Sequence, residues 1–334
     1  MKFDFDLYCN VSNFNVGNSS EYIKELLDVI STAEQYRYKG ALFHFNHLML
    51  DPFIVASLVL QNTTNFQPII AALPNYMNPV AAVKKMQSIY AIYGKTVNFN
   101  MITGAAKNEL EQLSDHIGHS ERYRRLEEYI EVVKLLLRSE EPVNFSGSYY
   151  NYNRLNLGPA LPKRYWPEIY IAGSSEASIN VGQKLADVLI THPGPVQYYK
   201  EHYVDKISNP VIKKGIEIGI ITRETSVEAW DVANCLYPQN FIGVLHTKMK
   251  LMSQSSWLRQ MAELGVASET HDGVFWLGAF ISGLAHNPIL VGSYDEVAAY
   301  MREYLKLGVN VIILTDLRSP FEFEHVDQVL KQVR

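Results

Sequence analysis

Residues 169–179 read Ile-Tyr-Ile-Ala-Gly-Ser-Ser-Glu-Ala-Ser-Ile, a short apolar run followed by small and hydroxyl-bearing residues. The run predicts a buried strand over residues 169–172, and the residues from Glu176 onward predict the first turn of a helix. Glycine and serine between a strand and a helix are typical of a phosphate site, because free N–H groups at a helix N-terminus bind anions. A serine that only caps its own helix gives the same pattern. Both interpretations stay open on these residues alone.

Seven further strands are predicted along the chain, and most of them lead into an amphipathic helix. The strands cover residues 3–9, 40–45, 66–73, 96–102, 187–191, 216–222 and 309–315. The helices cover residues 21–38, 52–60, 80–93, 120–137, 226–236 and 293–307. A hairpin is predicted over residues 143–153, and residues 237–289 are predicted as an irregular insertion before the last helix.

Eight strands that alternate with helices indicate a parallel sheet closed on itself. The pattern predicts an α/β fold, a (β/α)8 TIM barrel that forms one domain over residues 1–334. An open dinucleotide-binding sheet would carry a G-x-G-x-x-G turn after its first strand, whereas residues 10–18 contain only Gly17. Because such barrels work at the carboxyl ends of their strands, we expect the functional side chains there.

The composition of the chain excludes several classes of partner. The 334 residues include 30 Lys and Arg against 35 Asp and Glu, and no basic run is longer than a pair. This balance predicts that the protein binds neither nucleic acid nor a membrane surface. The first segment contains acidic residues, so we expect no signal peptide. No apolar run reaches the roughly 20 residues of a membrane span. Cys9 and Cys235 lack metal-site spacing, which predicts a cytoplasmic protein without a structural metal.

Five patterned segments follow one another from the fourth predicted strand to the last. They are Asn100–Gly104 with Gly118–Tyr123 (N-M-I-T-G and G-H-S-E-R-Y), Ile171–Ser175, Thr222–Thr225 with Glu228–Trp230, Leu290–Val297, and Leu307–Ile313. In this order the segments resemble the bacterial luciferase-like flavin-dependent monooxygenases. The chain is especially similar to the branch that contains the alkanesulfonate monooxygenases.

The resemblance implies a cofactor, a partner and a reaction. The cofactor would be FMN in its reduced form, FMNH2, bound non-covalently and supplied by a separate NAD(P)H:flavin reductase. In such proteins FMNH2 and O2 form a C4a-peroxyflavin, which transfers one oxygen atom to a small organic substrate. The resemblance also implies a homodimer or tetramer. Residues 237–289 would then be a lid that closes the cavity.

The resemblance also implies which residues bind the flavin. Hydroxyl and N–H donors can hold a phosphate dianion without an arginine. On this basis the phosphate would be held by Tyr123, Ser174 and Ser175. The ring and the ribityl chain would contact residues at the ends of the third, fourth and fifth strands, which are Ala71, Leu73, Asn100, Thr103, His119, Ala172 and Gly173.

The reactive positions of the sulfonate branch are occupied here by other residues. They correspond to Met49, Glu217, Gly219, Gly283 and Leu317, and the branch's histidine at the first strand end corresponds to Cys9. Because no Arg or Lys is evident at those strand ends to replace the lost cations, we do not expect an alkanesulfonate substrate. A neutral or carrier-tethered molecule fits better.

Several polar residues remain at the strand ends as candidate catalytic groups. Phe45-Asn46-His47 resembles the Glu-His-His of the luciferases proper, with Asn46 in place of the first histidine. The candidates are Asn46, His47, His192, Cys9 and Glu217, with Tyr76 and His286 beside them. Each histidine could equally be a hydrogen-bonded structural residue. The sequence therefore predicts an FMNH2-dependent monooxygenase, and a deazaflavin-dependent oxidoreductase and a non-catalytic flavin-binding protein stay open as alternatives.

Overall fold

Eight parallel strands close into a barrel in the computed structural model, which describes residues 2–11, 19–104, 107–238, 241–253, 255–317 and 319–334. Each strand pairs with the next, and the eighth pairs with the first, with Asp6 opposite Val311. The predicted (β/α)8 barrel is confirmed. The barrel strands, called the first to the eighth below, are Asp6–Asn10, Gly40–Phe43, Ile69–Ala72, Asn98–Met101, Ile169–Ala172, Val188–Thr191, Lys213–Arg223 and Val309–Thr315.

Helices surround the barrel, and their starts follow local sequence. Asn78 caps one helix with Pro79 in its first turn, and Thr225 and Glu228 form a capping box on another. The helices are Ser19–Gln35, Pro52–Gln61, Pro79–Tyr93, Lys107–Gln112, His119–Arg138, Glu176–Leu185, Val196–His202, Ser226–Leu236, Phe241–Leu251, Ser256–Ala267, Gly278–Ile281, Tyr294–Lys306 and Pro320–Val333, with single 3-10 turns at Lys163–Tyr165 and Val204–Lys206. The predicted hairpin is formed by Val143–Ser146 and Asn151–Leu155.

The segment predicted as irregular is largely ordered into elements. It contains three helices and the antiparallel strands Thr270–His271 and Phe275–Trp276. Strand Ile289–Ser293 then pairs in parallel with the outer half of the seventh strand. Leu245 and Met249 are exposed on the first of these helices, and Met252 is exposed just after it. Apolar residues on a solvent-facing side hide the helical period, which explains why the sequence pattern missed these elements.

Side chains on the barrel strands alternate between two layers. One layer is the barrel interior, where Tyr8 and Tyr170 meet with hydroxyl oxygens 3.3 Å apart. The other layer packs against the helices and includes Cys9 and Phe43. Because the alternation has a period of two, the inward-facing residues that follow Tyr8 and Leu42 are Asn10 and His44. The interior therefore turns from apolar to polar at the carboxyl end of the barrel.

Within the described ranges, every helix is too short or too polar to cross a bilayer. In the same ranges, no three His, Cys, Asp or Glu side chains are arranged to hold a metal ion. Cys9 is a buried free thiol and Cys235 is an exposed one.

Candidate active site

A cavity of about 350 Å³ opens at the carboxyl ends of the barrel strands. A second cavity of about 710 Å³ adjoins it on the solvent side and shares His119, Arg122, Ser175 and Ser256 with it. Together they lie in the size range of small-molecule sites. The inner cavity is lined by His44, Asn100, Ile102, Thr103, Gly104, His119, Arg122, Tyr123, Ala172, Gly173, Ser174, Ser175, Ile190, Thr191, His192, Glu217, Ser255, Ser256 and Trp257.

The turn after the fifth strand forms one wall of the inner cavity. Gly173 has φ +140°, and a Cβ built on it would lie 2.9 Å from Ser178 Oγ and 3.4 Å from the Tyr123 hydroxyl. Ser175 Oγ accepts a hydrogen bond from Ser178 N at 3.2 Å and so caps helix Glu176–Leu185. Ser174 Oγ is buried and has no hydrogen-bond partner among the described residues. The two interpretations of the turn therefore apply to different serines: Ser175 is the cap, and Ser174 is available to a ligand.

Arg122 brings a cation to the same wall. Its side chain is only 7% exposed, Nη1 donates to the Ile117 carbonyl oxygen at 3.2 Å, and Nε has no partner among the described residues. Sequence analysis assigned no arginine to this site, although Arg122 directly precedes Tyr123 in G-H-S-E-R-Y. A buried hydroxyl and a guanidinium N–H without partners, next to a helix N-terminus, fit a phosphate dianion.

Gly173→Ala should impair this wall in two ways. A side chain at positive φ costs roughly 1–3 kcal/mol of stability, and the new methyl group would occupy the space beside the Tyr123 hydroxyl. We expect weaker FMN binding in a fluorescence titration and a lower urea midpoint. Gly158→Ala is the matched control, because Gly158 has φ +101° and an added Cβ would meet nothing within 4 Å. Equal FMN affinity in the two variants would contradict this description of the wall.

Four polar side chains, each within or just after a different barrel strand, meet beside the inner cavity, and three of them line it. Asn10 Nδ2 donates to Glu217 Oε1 at 2.5 Å and lies 2.9 Å from His44 Nε2. His44 Nε2 is itself 3.3 Å from Glu217 Oε1. His192 Nε2 lies 3.8 Å from Glu217 Oε2, and its Nδ1 is 3.2 Å from the Glu217 carbonyl oxygen. A buried carboxylate thus organises two imidazoles and an amide, and these four residues are called the carboxylate cluster below.

The charge states of the carboxylate cluster follow from burial and from these contacts. Burial alone would raise the pKa of Glu217, but His192, His44 and the Asn10 amide more than offset it and lower the pKa to about 2. Burial lowers the pKa of His192 below its ordinary value, and Glu217 only partly opposes this shift. At neutral pH the cluster therefore holds a carboxylate beside a neutral His192.

Trp257 reports on the protonation of His192. The two rings lie 4.5 Å apart, and Trp257 Nε1 donates to the His192 carbonyl oxygen at 3.0 Å. Because the pKa of His192 is lowered, we expect imidazolium to quench Trp257 fluorescence with a midpoint below the ordinary value of about 6.5. The folded protein binds this proton less tightly than the unfolded chain does, so acid favours unfolding. The stability that neutral His192 contributes is therefore present above pH 6.5 and is lost as the pH falls below that value.

The control variants for this titration are His192→Gln and Trp257→Phe, and each should abolish the fluorescence transition. A transition that survives in His192→Gln would assign the quenching to another group.

Three of the predicted catalytic residues, Cys9, Asn46 and His47, line neither cavity. Cys9 lies in the layer between strand and helix, its thiol points at the Gly40 carbonyl oxygen at 3.8 Å, and burial raises its pKa to about 12. Asn46 Oδ1 accepts from Leu48 N at 2.8 Å, and exposed His47 contacts Gln112. The second strand ends at Phe43, so these residues lie in the loop beyond it.

Two cofactor positions also differ from the prediction. Ala71 and Leu73 are buried but border neither cavity; Ala71 pairs with Asn100, and Leu73 lies behind Gly104. Tyr76 and His286, which were named beside the catalytic candidates, line neither cavity. The remaining predicted residues line the inner cavity, and they are Asn100, Thr103, His119, Tyr123, Ala172, Gly173, Ser174, Ser175, His192 and Glu217. Sequence analysis missed Asn10 and His44, although the period-two alternation after Tyr8 and Leu42 could have indicated both.

Comparison with known families identifies the family of the chain. The family model described as luciferase-like monooxygenase matches residues 3–310. The chain belongs to the luciferase-like monooxygenase family. It is accordingly an enzyme, a flavin-dependent monooxygenase, and the family resemblance predicted from the motifs is confirmed.

Individual members of the family can be compared with this one. The chain is 41% identical over 320 residues, 96% of its length, to 4-(gamma-L-glutamylamino)butanoyl-[BtrI acyl-carrier protein] monooxygenase BtrO of Niallia circulans, and covers 93% of that protein. Its fold is similar to long-chain alkane monooxygenase LadA (TM-score 0.74, 17% identity, 100% of this chain and 92% of that one). It is also similar to an F420-dependent secondary alcohol dehydrogenase (TM-score 0.72, 15% identity, 99% and 100%).

Proposed function

We propose that this luciferase-like monooxygenase uses FMNH2 and O2 to insert one oxygen atom into an acyl group carried by an acyl-carrier protein. The single observation that carries the proposal is the 41% identity, over 96% of the chain, to a monooxygenase named for an acyl-carrier-protein substrate. The proposal includes a separate NAD(P)H:flavin reductase, a homodimer or tetramer, and a cytoplasmic location.

The wall built from Tyr123, Ser174 and Arg122 would hold the FMN phosphate. Ser174 Oγ and Arg122 Nε are buried polar atoms without partners among the described residues, which is the condition expected of a site that awaits a ligand. When bound, the reduced flavin supplies the activation of O2. The chain's part is to orient the substrate, exclude water and handle protons.

His44 Nε2 is the atom we assign to proton handling. An unprotonated Nε2 can accept from Asn10 Nδ2 at 2.9 Å, and a protonated Nε2 can donate to Glu217 Oε1 at 3.3 Å. Both states are therefore hydrogen-bonded without movement of a heavy atom. An imidazole nitrogen that has a hydrogen-bond partner in both of its protonation states is suited to general acid–base catalysis.

Trp257 would exclude water from this chemistry. It comes from the insertion, residues 237–289, and packs over His192 at the edge of the cavity. We propose that the insertion is the lid of the site. A lid of this kind protects a reactive oxygen intermediate from side reactions with solvent.

Oxygen uptake tests the proposed reaction. The purified protein is mixed with FMN, a flavin reductase, NADH and the acyl-carrier protein of the Niallia relative loaded with 4-(gamma-L-glutamylamino)butanoyl. We expect oxygen consumption that depends on the acyl group, and a product heavier by one oxygen atom. Binding of a reduced deazaflavin in preference to FMNH2, without oxygen uptake, would favour the dehydrogenase alternative. Tight binding of oxidised FMN without any turnover would favour a non-catalytic flavin-binding protein.

A further inference from the structure

The insertion helix Phe241–Leu251 turns apolar side chains toward solvent. Leu245, Met249 and Met252, the residue just after the helix, are 59%, 64% and 86% exposed, and Lys248 between them is exposed as well. Positions separated by three, four and seven residues lie on one helix face. We call these four residues the exposed stripe. An apolar face that points away from the protein core marks an interaction site more often than a random surface does.

The opposite face of the same helix is fixed to the rest of the insertion. Thr247 Oγ1 donates to the Ile281 carbonyl oxygen at 2.8 Å. Lys250 donates to the Phe280 carbonyl oxygen, and its ammonium lies 3.8 Å from the centre of the Phe280 ring. Rotating the exposed stripe inward would break all of these contacts. The stripe is therefore a stable outer surface of the insertion.

The exposed stripe lies close to the opening of the cavity. Phe280, which holds the helix from below, contacts the Trp257 ring with centroids 5.4 Å apart, and Trp257 lines the inner cavity. Ser255 and Ser256 line the same cavity only three and four residues after Met252. A macromolecule bound to the stripe would sit beside the entrance to the active site.

We propose that the exposed stripe docks the acyl-carrier protein that delivers the substrate, an inference that rests on the function proposed above. The chain has a net charge of −5, yet the stripe contains the exposed Lys248. A positive spot within an apolar patch on an acidic protein fits a partner surface that is apolar and acidic. An acidic carrier protein has this chemistry.

A second copy of this chain fits the exposed stripe poorly. In a two-fold contact the stripe would face itself, so that the Lys248 side chains of both copies would be brought into one small interface. Stable dimers also bury about 1,200–2,000 Å² or more, far beyond what four side chains provide, whereas transient partners use small interfaces. A carrier protein that must leave after each turnover needs only a weak contact.

Binding of the carrier protein tests the proposal directly. The probe is the acyl-carrier protein of the Niallia relative in its phosphopantetheinylated form, and affinity is measured by biolayer interferometry. We expect Lys248→Glu and Met252→Glu each to weaken binding roughly tenfold. The matched controls are Lys206→Glu and Val211→Glu, which lie before the seventh strand at the other end of the barrel; Val211 is 86% exposed, like Met252. The controls should bind as the unaltered protein does.

A second measurement separates docking from catalysis. Oxygen uptake is followed with the same acyl group on the carrier protein and on pantetheine, a small thioester without a protein surface. We expect the stripe variants to raise KM for the carrier substrate roughly tenfold and to leave KM and kcat for the pantetheine thioester unchanged.

Three results would overturn the docking proposal. They are absence of carrier binding to the unaltered protein, equal affinities in stripe and control variants, and loss of activity toward both substrates in the stripe variants. A change of oligomeric state in the stripe variants, read by light scattering, would assign the stripe to a second copy of the chain instead. Carrier binding that depends on the stripe, without oxygen uptake on either substrate, would support docking and contradict the proposed function.

Discussion

Tyr123→Phe combined with Ser174→Ala should weaken FMN binding at least about a hundredfold. Each substitution removes a hydroxyl from the wall that surrounds Gly173, and a hydrogen bond to a charged group contributes roughly 1.5–3 kcal/mol. Two such bonds together correspond to a factor of about 10² or more. Fluorescence quenching of FMN, and anaerobic calorimetry with FMNH2, measure the loss.

Two control variants make this result specific to the phosphate site. Tyr129→Phe removes a buried phenol from the same helix, and its hydroxyl has no partner among the described residues. Because Tyr129 lines neither cavity, FMN affinity should not change. Ser175→Ala should lower the free energy of unfolding by about 1 kcal/mol, because Ser175 Oγ caps helix Glu176–Leu185. It should affect FMN binding less than the double variant does. Unchanged affinity in the double variant would place the phosphate elsewhere.

Glu217→Gln is expected to lower kcat about a hundredfold while FMN affinity stays within a factor of two or so. Glutamine is nearly isosteric and can still accept from Asn10, but it removes the negative charge 3.3 Å from His44 Nε2. A protonated His44 Nε2 then loses its carboxylate acceptor. Oxygen uptake at saturating substrate and FMN titration separate the two effects. Full kcat in the variant would exclude a role of the carboxylate in proton transfer.

Glu217→Gln should also change how the free energy of unfolding depends on pH in acid. The pKa of Glu217 is about 2 in the folded protein against an ordinary 4.5, so its stabilising contribution is present above pH 4.5 and is lost as the pH falls toward 2. The unaltered protein should therefore lose about 2 kcal/mol from this group by pH 3. Urea unfolding at pH 6 and pH 3 should show that Glu217→Gln lacks this component. Equal acid sensitivity of the two proteins would contradict the lowered pKa.

Most of the predicted cofactor residues line the inner cavity, whereas Cys9, Asn46 and His47, three of the predicted catalytic residues, do not. Ser174, Ser175 and Tyr123 belong to segments in which the chain's local order fixes the geometry: a strand, a tight turn and a helix start. Asn10 and Glu217 touch across 207 positions of sequence, and no local pattern links them. Their contact depends on the closure of the barrel, which brings the first, eighth and seventh strands side by side.

The predicted site residues differ from those in the structure mainly because the ends of two strands were misplaced. The predicted second strand runs to Phe45, but the strand ends at Phe43. The prediction therefore places Asn46 and His47 at the strand end, where the structure has His44. At the first strand the difference was one residue, Cys9 instead of Asn10. Because strand side chains alternate, a shift of one residue exchanges the barrel interior for the helix-facing layer. An error of one residue in a predicted strand end therefore assigns the wrong side chain to the cavity.

The segment 169–179 shows what the sequence determined and what only the tertiary structure decided. By itself the sequence determined the barrel, the family and the candidate phosphate wall, because alternating hydrophobic periods and short motifs encode local structure. Only the tertiary structure decided that Ser175 caps its helix, whereas Ser174 Oγ has no hydrogen-bond partner among the described residues. It also decided that Arg122 faces the same cavity. The physical reason is that hydrogen bonds and burial depend on which neighbours the closed barrel brings within about 3 Å, and a linear pattern does not contain that information.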